Sequence, residues 1–472
     1  MTLYLYIDII VKTSKRGSEP IMPTRGKRKK SIESTRIIAL SFFSVIAVGT
    51  LLFMLPFMTR DGKGLSFMQA LFTSTSSVCV TGLSLIDPAV VLSKYGQILL
   101  MLLIEIGGIS MVTFATFFVF TFKKRFGLKS MRLAQEYTNI DTISQVRQLV
   151  KTIIATTVII QVIGAAILCI RFIPRYGAKG IWTAVFTSVS AYCNAGFDIF
   201  GAEKSFGSLS IFNSDPLVMY TVMALIVFGG IGFYVFYDII NYRKSKKLTL
   251  HSRIMLLFTA VLIFAGAALI LIFEFYNKKT IGNMPLFEKI TASLFQSVTA
   301  RTAGFSSVDI SSLHDVTKFV MMFLMYIGAG TGSTGGGIKV TTFAVLAMTV
   351  VSVLTNKEET VIFGRKVDRK IVAKSLSIAL LGLLIIFIVS SVIVSENPES
   401  NGINVFFEAV YAFSTAGLST GVTAACRTPG LLSLVFAMFV GRIGPICFII
   451  SLNSREADKS REILPEGRIM VG

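Results

Sequence analysis

Eight stretches of the chain are apolar and almost free of charge: 37–59, 96–122, 152–170, 216–237, 254–273, 319–338, 375–395 and 428–453. A helix needs roughly 20 residues to cross the hydrocarbon core, so each stretch predicts a spanning helix. Only Glu105 and Arg442 place a charge inside one. A further charge-free stretch, 64–86, carries the polar run Thr73-Ser74-Thr75-Ser76-Ser77. A ninth full span there would break the alternation of sides, so it reads as a half-span that enters and turns back. Non-helical backbone at membrane depth must be buried in protein or line water. The same arrangement recurs at 180–197, 286–305 and 403–418.

Each half-span ends in a similar phrase. These are Val80-Thr81-Gly82, Asn194-Ala195-Gly196, Thr302-Ala303-Gly304 and Thr415-Ala416-Gly417, each followed by Leu or Phe, with glycines 114, 108 and 113 residues apart. The chain therefore reads as four tandem span–pore loop–span repeats at 36–125, 148–242, 253–355 and 371–455, an all-α membrane protein with four walls around a pseudo-fourfold axis. Flanking segments are 1–35 and 456–472. Counted back from the glycine, Phe72-Thr73-Ser74 and Phe186-Thr187-Ser188 share offsets and Phe407 matches Phe72, whereas Leu294-Phe295 is displaced by one. Each second span reaches a glycine point, at Gly107-Gly108, Gly229-Gly230, Gly328 to Gly337, and Gly441-Arg442. Glycine costs about 1 kcal/mol in a helix interior, so matched doublets predict a bend or a close helix contact.

Composition agrees: 53% of the 472 residues are hydrophobic and 15% charged. The net charge of +20 raises nucleic acid as a partner, but its placement argues against it. Basic residues gather in 1–36, 123–132, 243–253 and 357–374, that is, the N-terminus and every second connection. This positive-inside pattern puts both termini in the cytoplasm, and anionic lipid headgroups account for the excess. The basic cytoplasmic loops and the C-terminus from Arg455 are candidate docking surfaces. Five scattered cysteines, with no CxxC, predict neither a disulfide framework nor a zinc site. Cys79 and Cys193 read as small packing residues, the N-terminal stretch is no convincing signal peptide, and Met22 is an alternative start to Met1.

The loops suit ion selection. A dehydrated monovalent cation needs several oxygens of moderate field strength, which backbone carbonyls supply. Turning successive carbonyls to one axis requires positive φ, which glycine adopts without strain. The preceding helix aims its partially negative end at the same place. The candidate filter is Val80, Thr81, Gly82, Asn194, Ala195, Gly196, Thr302, Ala303, Gly304, Thr415, Ala416 and Gly417. Asn194 replaces the threonine of units three and four, and Val80-Thr81 lacks the Ala-Gly ending, so the ring is imperfect and looser discrimination follows. Arg301 reads as a buttress behind the third turn.

Over 36–455 this constellation resembles the Trk/Ktr/HKT superfamily of potassium transporters, in particular its Ktr-type pore subunits. The resemblance rests on the four single-glycine loops, on Arg301 before Thr302-Ala303-Gly304-Phe305, on the glycine loop of unit three and on Arg442. It implies a potassium-channel-like fold, potassium uptake into bacterial cells with K+ at the filter as the only bound metal, a homodimer with one pore per subunit, and a cytosolic nucleotide-binding ring (KtrA-like) carrying ATP/ADP or NAD(H). It also implies that the glycine loop is an intramembrane gate, formed by Gly330, Thr331, Gly332, Ser333, Thr334, Gly335, Gly336, Gly337 and Lys339 with Arg442. The loop lacks P-loop spacing, because Val340 follows Lys339. Arg442 has two readings: an ion pair with Glu105, or a positive barrier beneath the filter. A charge inside a span costs at least roughly 2.5–3.5 kcal/mol.

Other classes fit less well. A less selective sodium/potassium transporter is the nearest alternative. An intramembrane hydrolase lacks a serine–histidine pair, since His251 and His314 lie in loops. Four parallel repeats disfavour an inverted-repeat transporter.

Overall fold

The computed structural model describes residues 25–109, 143–201, 203 and 207–452. Most of the 1–35 segment, the 123–132 loop, the distal part of the 96–122 run and the 456–472 tail lie outside these residues.

The elements recur in one order: long helix, short helix, glycine turn, second helix. The long helices are α1 (Arg25–Phe53), α4 (Ile143–Tyr176), α8 (Leu250–Glu274) and α12 (Arg369–Glu396). The short ones are α2 (Phe67–Val78), α5 (Lys179–Tyr192), α9 (Leu286–Thr299) and α13 (Gly402–Ser414). The second helices are α3 (Lys94–Gly108), α6 (Pro216–Ile231) continuing as α7 (Phe233–Ser245), α10 (Asp315–Ile327) followed by α11 (Val340–Leu354), and α14 (Thr428–Ile443) continuing as α15 (Pro445–Leu452).

Polar side chains mark the helix starts. Ser66 and Gln69 form a capping box on α2, and Thr249, Asp215, Asp368 and Asn401 cap α8, α6, α12 and α13. The long helices are the walls: only 22–28% of their spanning windows is buried, and Leu40, Phe264, Ile272 and Phe387 are each more than 60% exposed. Apolar side chains on that scale suit lipid, not water.

The eight apolar runs are not eight continuous helices. Among the described residues, four helices are long and apolar enough to cross alone. The second spans of units two, three and four break, in keeping with the bend that the glycine points predict. α6 and α7 meet at 92° across Gly232, and α14 and α15 at 98° across Gly444. Both glycines have positive φ, 104° and 93°. The 319–338 run ends as helix at Ile327, because Gly328 takes φ 57° and closes α10. Hydropathy runs on through these points, which is why it misses the breaks. A second departure is a two-stranded hairpin in the 357–368 connection, β1 (Val361–Ile362) with β2 (Arg365–Lys366). Its turn residues Phe363 and Gly364 have φ 49° and 73°, the left-handed pair of a tight hairpin. Ile362 is buried with Ile254 of α8 and Ala344 of α11.

Contacts repeat from unit to unit. Each short helix lies along its own long helix. Ser74, Ser188 and Ser297 donate to the carbonyls of Ile46, Gln161 and Ile263, at 2.8, 2.7 and 2.7 Å. Three residues beyond each acceptor stand Gly49, Gly164 and Gly266, where any Cβ would strike that serine. Ser74 and Ser188 are eight residues before their turn glycine and Ser297 is seven, so the displacement read in unit three is a real shift of its short helix. The second helices obey one rule as well. A Cβ on Gly107, Gly229 or Gly441 would collide with the carbonyl oxygen of Val78, Tyr192 or Phe413, each four residues before a turn glycine. These glycines let the second helix rest on the C-terminus of its own short helix. Each second helix also packs on the short helix of the following unit: α3 on α5, α6 on α9, α10 on α13, and α14 back on α2. The contacts close a ring.

Replacing Gly229 or Gly441 with alanine is expected to destabilise the fold by about 1–3 kcal/mol through overpacking. Gly402→Ala, where a Cβ has nothing within 4 Å, serves as the control. Thermal unfolding in detergent decides; equal melting temperatures for all three variants would contradict the contact rule.

Candidate functional site

The four turns begin where the short helices stop. In units one, two and four the N–H of the residue before the glycine reaches back five places: Thr81 to Ser76, Ala195 to Ser190 and Ala416 to Tyr411, at 2.7, 2.8 and 3.1 Å. Such a bond needs a left-handed residue just before it. Val80, Asn194 and Thr415 supply it, with φ 56°, 59° and 52°. Unit three reaches back only four places, from Ala303 to Thr299, and has Thr302 at φ 71°. The glycines then take φ 86°, 69°, 85° and 89°. Each turn thus holds two left-handed residues separated by one other. The sequence reading named all eight residues for the filter but assigned positive φ to the glycines alone. Asn194 tolerates this conformation, but for Val80, Thr302 and Thr415 it costs roughly 1–2 kcal/mol each.

The turns meet. A Cβ on Gly82 would lie 3.0 Å from the Gly417 Cα and 3.3 Å from the Gly196 Cα. One on Gly196 would lie 2.7 Å from the Gly304 Cα, and one on Gly304 would lie 2.5 Å from the Gly417 Cα. The glycines are neighbours in chain order, the last adjoining the first. Eleven of the twelve residues named for the filter are buried, and Gly82 is half-buried. Behind the turns, Ser190 and Thr299 hydroxyls donate to the carbonyls just past the glycine, Phe197 and Phe305, both at 2.6 Å. Among the described residues, the buried hydroxyls of Thr81, Thr302 and Thr415 have no hydrogen-bond partner. Asn194 differs: its amide nitrogen, in the favoured orientation, donates to Ala191 and Ile226 carbonyls at 3.0 and 3.2 Å. Arg301 is 6% exposed and donates to Thr259 of α8 at 3.4 Å. It therefore stands behind the third turn.

The unit-three glycine loop lies against this ring. A Cβ on Gly335 or Gly336 would come within 3.2 Å of the Thr302 Cβ or 3.1 Å of the Thr415 Cβ. The loop hangs from unit two: Gly330 N–H donates to Gly230 O at 2.9 Å and Thr334 N–H to Gly229 O at 3.3 Å, while Phe233 N–H donates to Gly332 O at 2.8 Å. The Lys339 ammonium donates to the Gly335 and Gly336 carbonyls at 2.7 and 3.4 Å. Ser333 closes the loop on Gly330 O at 2.7 Å. Thr331 and Gly332 are exposed on its far side, and Gly337 packs back on α10 near Met325.

Arg442 sits in the last turn of α14, just before the 98° bend. Its guanidinium donates to Thr334 O in the glycine loop and to Gly107 O at the end of α3. One side chain of unit four thereby holds the loop of unit three to the second helix of unit one. Glu105 accepts from Gln161 at 2.9 Å and from the Cys193 thiol at 3.3 Å. Cys79 and Cys193 both end short helices and are fully buried. The carbonyls of Gly107, Gly229 and Gly230 were not foreseen as part of the site, although their glycine pairs mark the place.

Residues 11–463 match the TrkH family, described as "Cation transport protein", and the chain belongs to that family of membrane transporters, which are not enzymes. Among its relatives, Ktr system potassium uptake protein B of Bacillus subtilis is 37% identical, with 93% of this chain and 96% of the relative covered. Potassium/sodium uptake protein NtpJ of Enterococcus hirae is also 37% identical, over 94% and 98% of the two chains. The crystal structure of the potassium transporter TrkH from Vibrio parahaemolyticus shares the fold, with a TM-score of 0.71 and 16% identity over 90% of this chain and 85% of that one.

Removing the Arg442 guanidinium as Arg442→Gln is expected to raise amide hydrogen exchange across 330–336 by at least roughly tenfold, as for a segment that loses its local tether. Exchange unchanged from wild type would show that the loop does not depend on this contact.

Proposed function

We propose that this chain is the pore-forming subunit of a bacterial potassium uptake system. One observation carries the reading: four paired left-handed turns bring four glycines together in chain order, each at the C-terminal end of a buried short helix. Carbonyls in this conformation face one line instead of alternating, and the helix ends add negative potential to the same spot. The pathway runs along the pseudo-fourfold axis, with the twelve turn residues as the filter. The potassium uptake functions named for the B. subtilis and E. hirae relatives support K+ as cargo.

In this reading the glycine loop blocks the pathway beneath the filter, and Lys339 and Arg442 add a positive barrier to cation passage. Arg301 buttresses the third turn. The positive-inside pattern puts both termini in the cytoplasm, so the turns open to the outside. Two copies pair, each with its own pore, on a cytosolic ring that binds ATP/ADP or NAD(H) and moves the loop. A second reading has one observation in its favour: the E. hirae relative is named for both potassium and sodium. The one-residue shift of unit three and Asn194, whose amide binds the Ala191 and Ile226 carbonyls, make the four walls unequal, which suits weaker discrimination.

The test is K+ uptake into a transport-deficient bacterial strain, with and without a nucleotide-binding partner. Uptake should depend on the chain and rise with the partner. Gly304→Ser should abolish uptake or alter the K+/Na+ ratio while the protein still reaches the membrane. Deleting 331–335, or Arg442→Gln, should raise flux without the partner. If serine replacements at all four turn glycines leave uptake and ion ratio intact, the filter reading fails; equal flux from the deletion removes the gating role.

A further inference from the structure

Two polar side chains link a short helix to the residue two places beyond its turn glycine. In unit four, Glu408 on α13 is fully buried. It accepts from Ser419 Oγ at 2.6 Å, from Thr420 N–H at 3.0 Å and Oγ1 at 3.3 Å, and from Thr423 Oγ1 at 3.0 Å. In unit three, Gln296 on α9 is 1% exposed and donates to Ser306 Oγ at 3.3 Å. Ser419 and Ser306 both follow their glycine by two. Glu408 precedes its glycine by nine and Gln296 by eight, the same shift that separates Ser297 from Ser74 and Ser188. The two struts are therefore equivalent positions. Units one and two have Thr73 and Thr187 there, with buried hydroxyls that have no partner among the described residues.

The braced units are also the two whose threonines, Thr302 and Thr415, bear the glycine loop. The half of the ring that the loop presses from one side is tied from the other. The two braces differ in charge. Glu408 takes one main-chain N–H and three hydroxyls, a donor set that suits an ionised carboxylate. These donors are neutral and spread its charge without cancelling it. In a site of low dielectric such a charge acts on a nearby cation over several ångströms, whereas the Gln296 amide offers only a dipole.

We infer that Glu408 is a specificity-determining positioning residue for cation entry: it fixes the segment beyond Gly417 and supplies the negative charge that strengthens capture of a cation arriving at the filter, Gln296 being its neutral counterpart in the neighbouring unit. This rests on the filter reading above.

The experiment measures K+ uptake by the full chain, with its partner subunit, as a function of external K+. Glu408→Gln keeps size and most hydrogen bonds. It should raise KM for K+ on the order of tenfold, with Vmax within about twofold, because capture and not passage loses the charge. Adding Gln296→Glu, which returns a carboxylate to the equivalent place, should bring KM back toward wild type. A purely structural brace would give no such rescue. Gly417→Ser, assayed alongside, separates the two claims: if it alters the K+/Na+ ratio while Glu408→Gln leaves KM unchanged, the inference is wrong and the filter reading stands. If neither changes anything, both are wrong. A raised KM that Gln296→Glu does not rescue also overturns the charge role. Should Glu408→Gln fail to reach the membrane, Gln296→Glu alone must lower KM, and an unaltered value there counts against the proposal.

Discussion

Everything in this molecule depends on how a helix can end inside a membrane. A short helix that stops at mid-depth leaves its last carbonyls without partners, and no lipid can supply them. Here the ends are closed by main-chain bonds that force one residue into the left-handed region, at Val80, Asn194, Thr302 and Thr415. The remaining carbonyl surface is covered by a helix that carries glycine where it crosses, at Gly107, Gly229 and Gly441. Serines from the short helices fix the third side, on α1, α4 and α8. Turn and crossing glycine accommodate the end of the short helix, and the serine ties that helix to its long neighbour. The open face that remains is the one toward the other turns.

Much of this was legible in the sequence. The first half-span was marked by a polar run without charge, the turns by glycine, and the crossings by glycine doublets. The register of Phe72, Phe186 and Phe407 against Phe295 even carried the one-residue shift of unit three. Other features left no local signal. Val80, Thr302 and Thr415 are β-branched and disfavour positive φ, so propensity argued against the conformation they adopt. The surrounding packing overrides it, as strain at functional positions usually requires. The bends at Gly232 and Gly444 lie inside continuous apolar sequence, where hydropathy cannot tell a straight helix from a folded one. Glu408 was not singled out in the sequence, because its partners Ser419, Thr420 and Thr423 come from beyond the turn.

Arg442 illustrates the same limit from the other direction. Its position inside an apolar run signalled importance, and the obvious partner by charge was Glu105. Its guanidinium also reaches main-chain oxygens, sitting where Gly107 and Thr334 present theirs. A planar, five-donor group can bridge two such carbonyls that no single counter-charge would join. The choice ties three units through one side chain.

The small hairpin at 361–366 gains meaning from where its neighbours lead. α11 starts immediately after the glycine loop, with Val340 N–H bonded to Ala329 O at 3.2 Å, and its body packs on Ile362 through Ala344 and Val345. Fifteen helical residues make a stiff rod of about 22 Å. Its head is joined to the loop and its flank to the hairpin. Tilting that rod by leaning on the hairpin would pull the loop sideways, so this two-rung ladder is placed as a lever arm on the glycine loop.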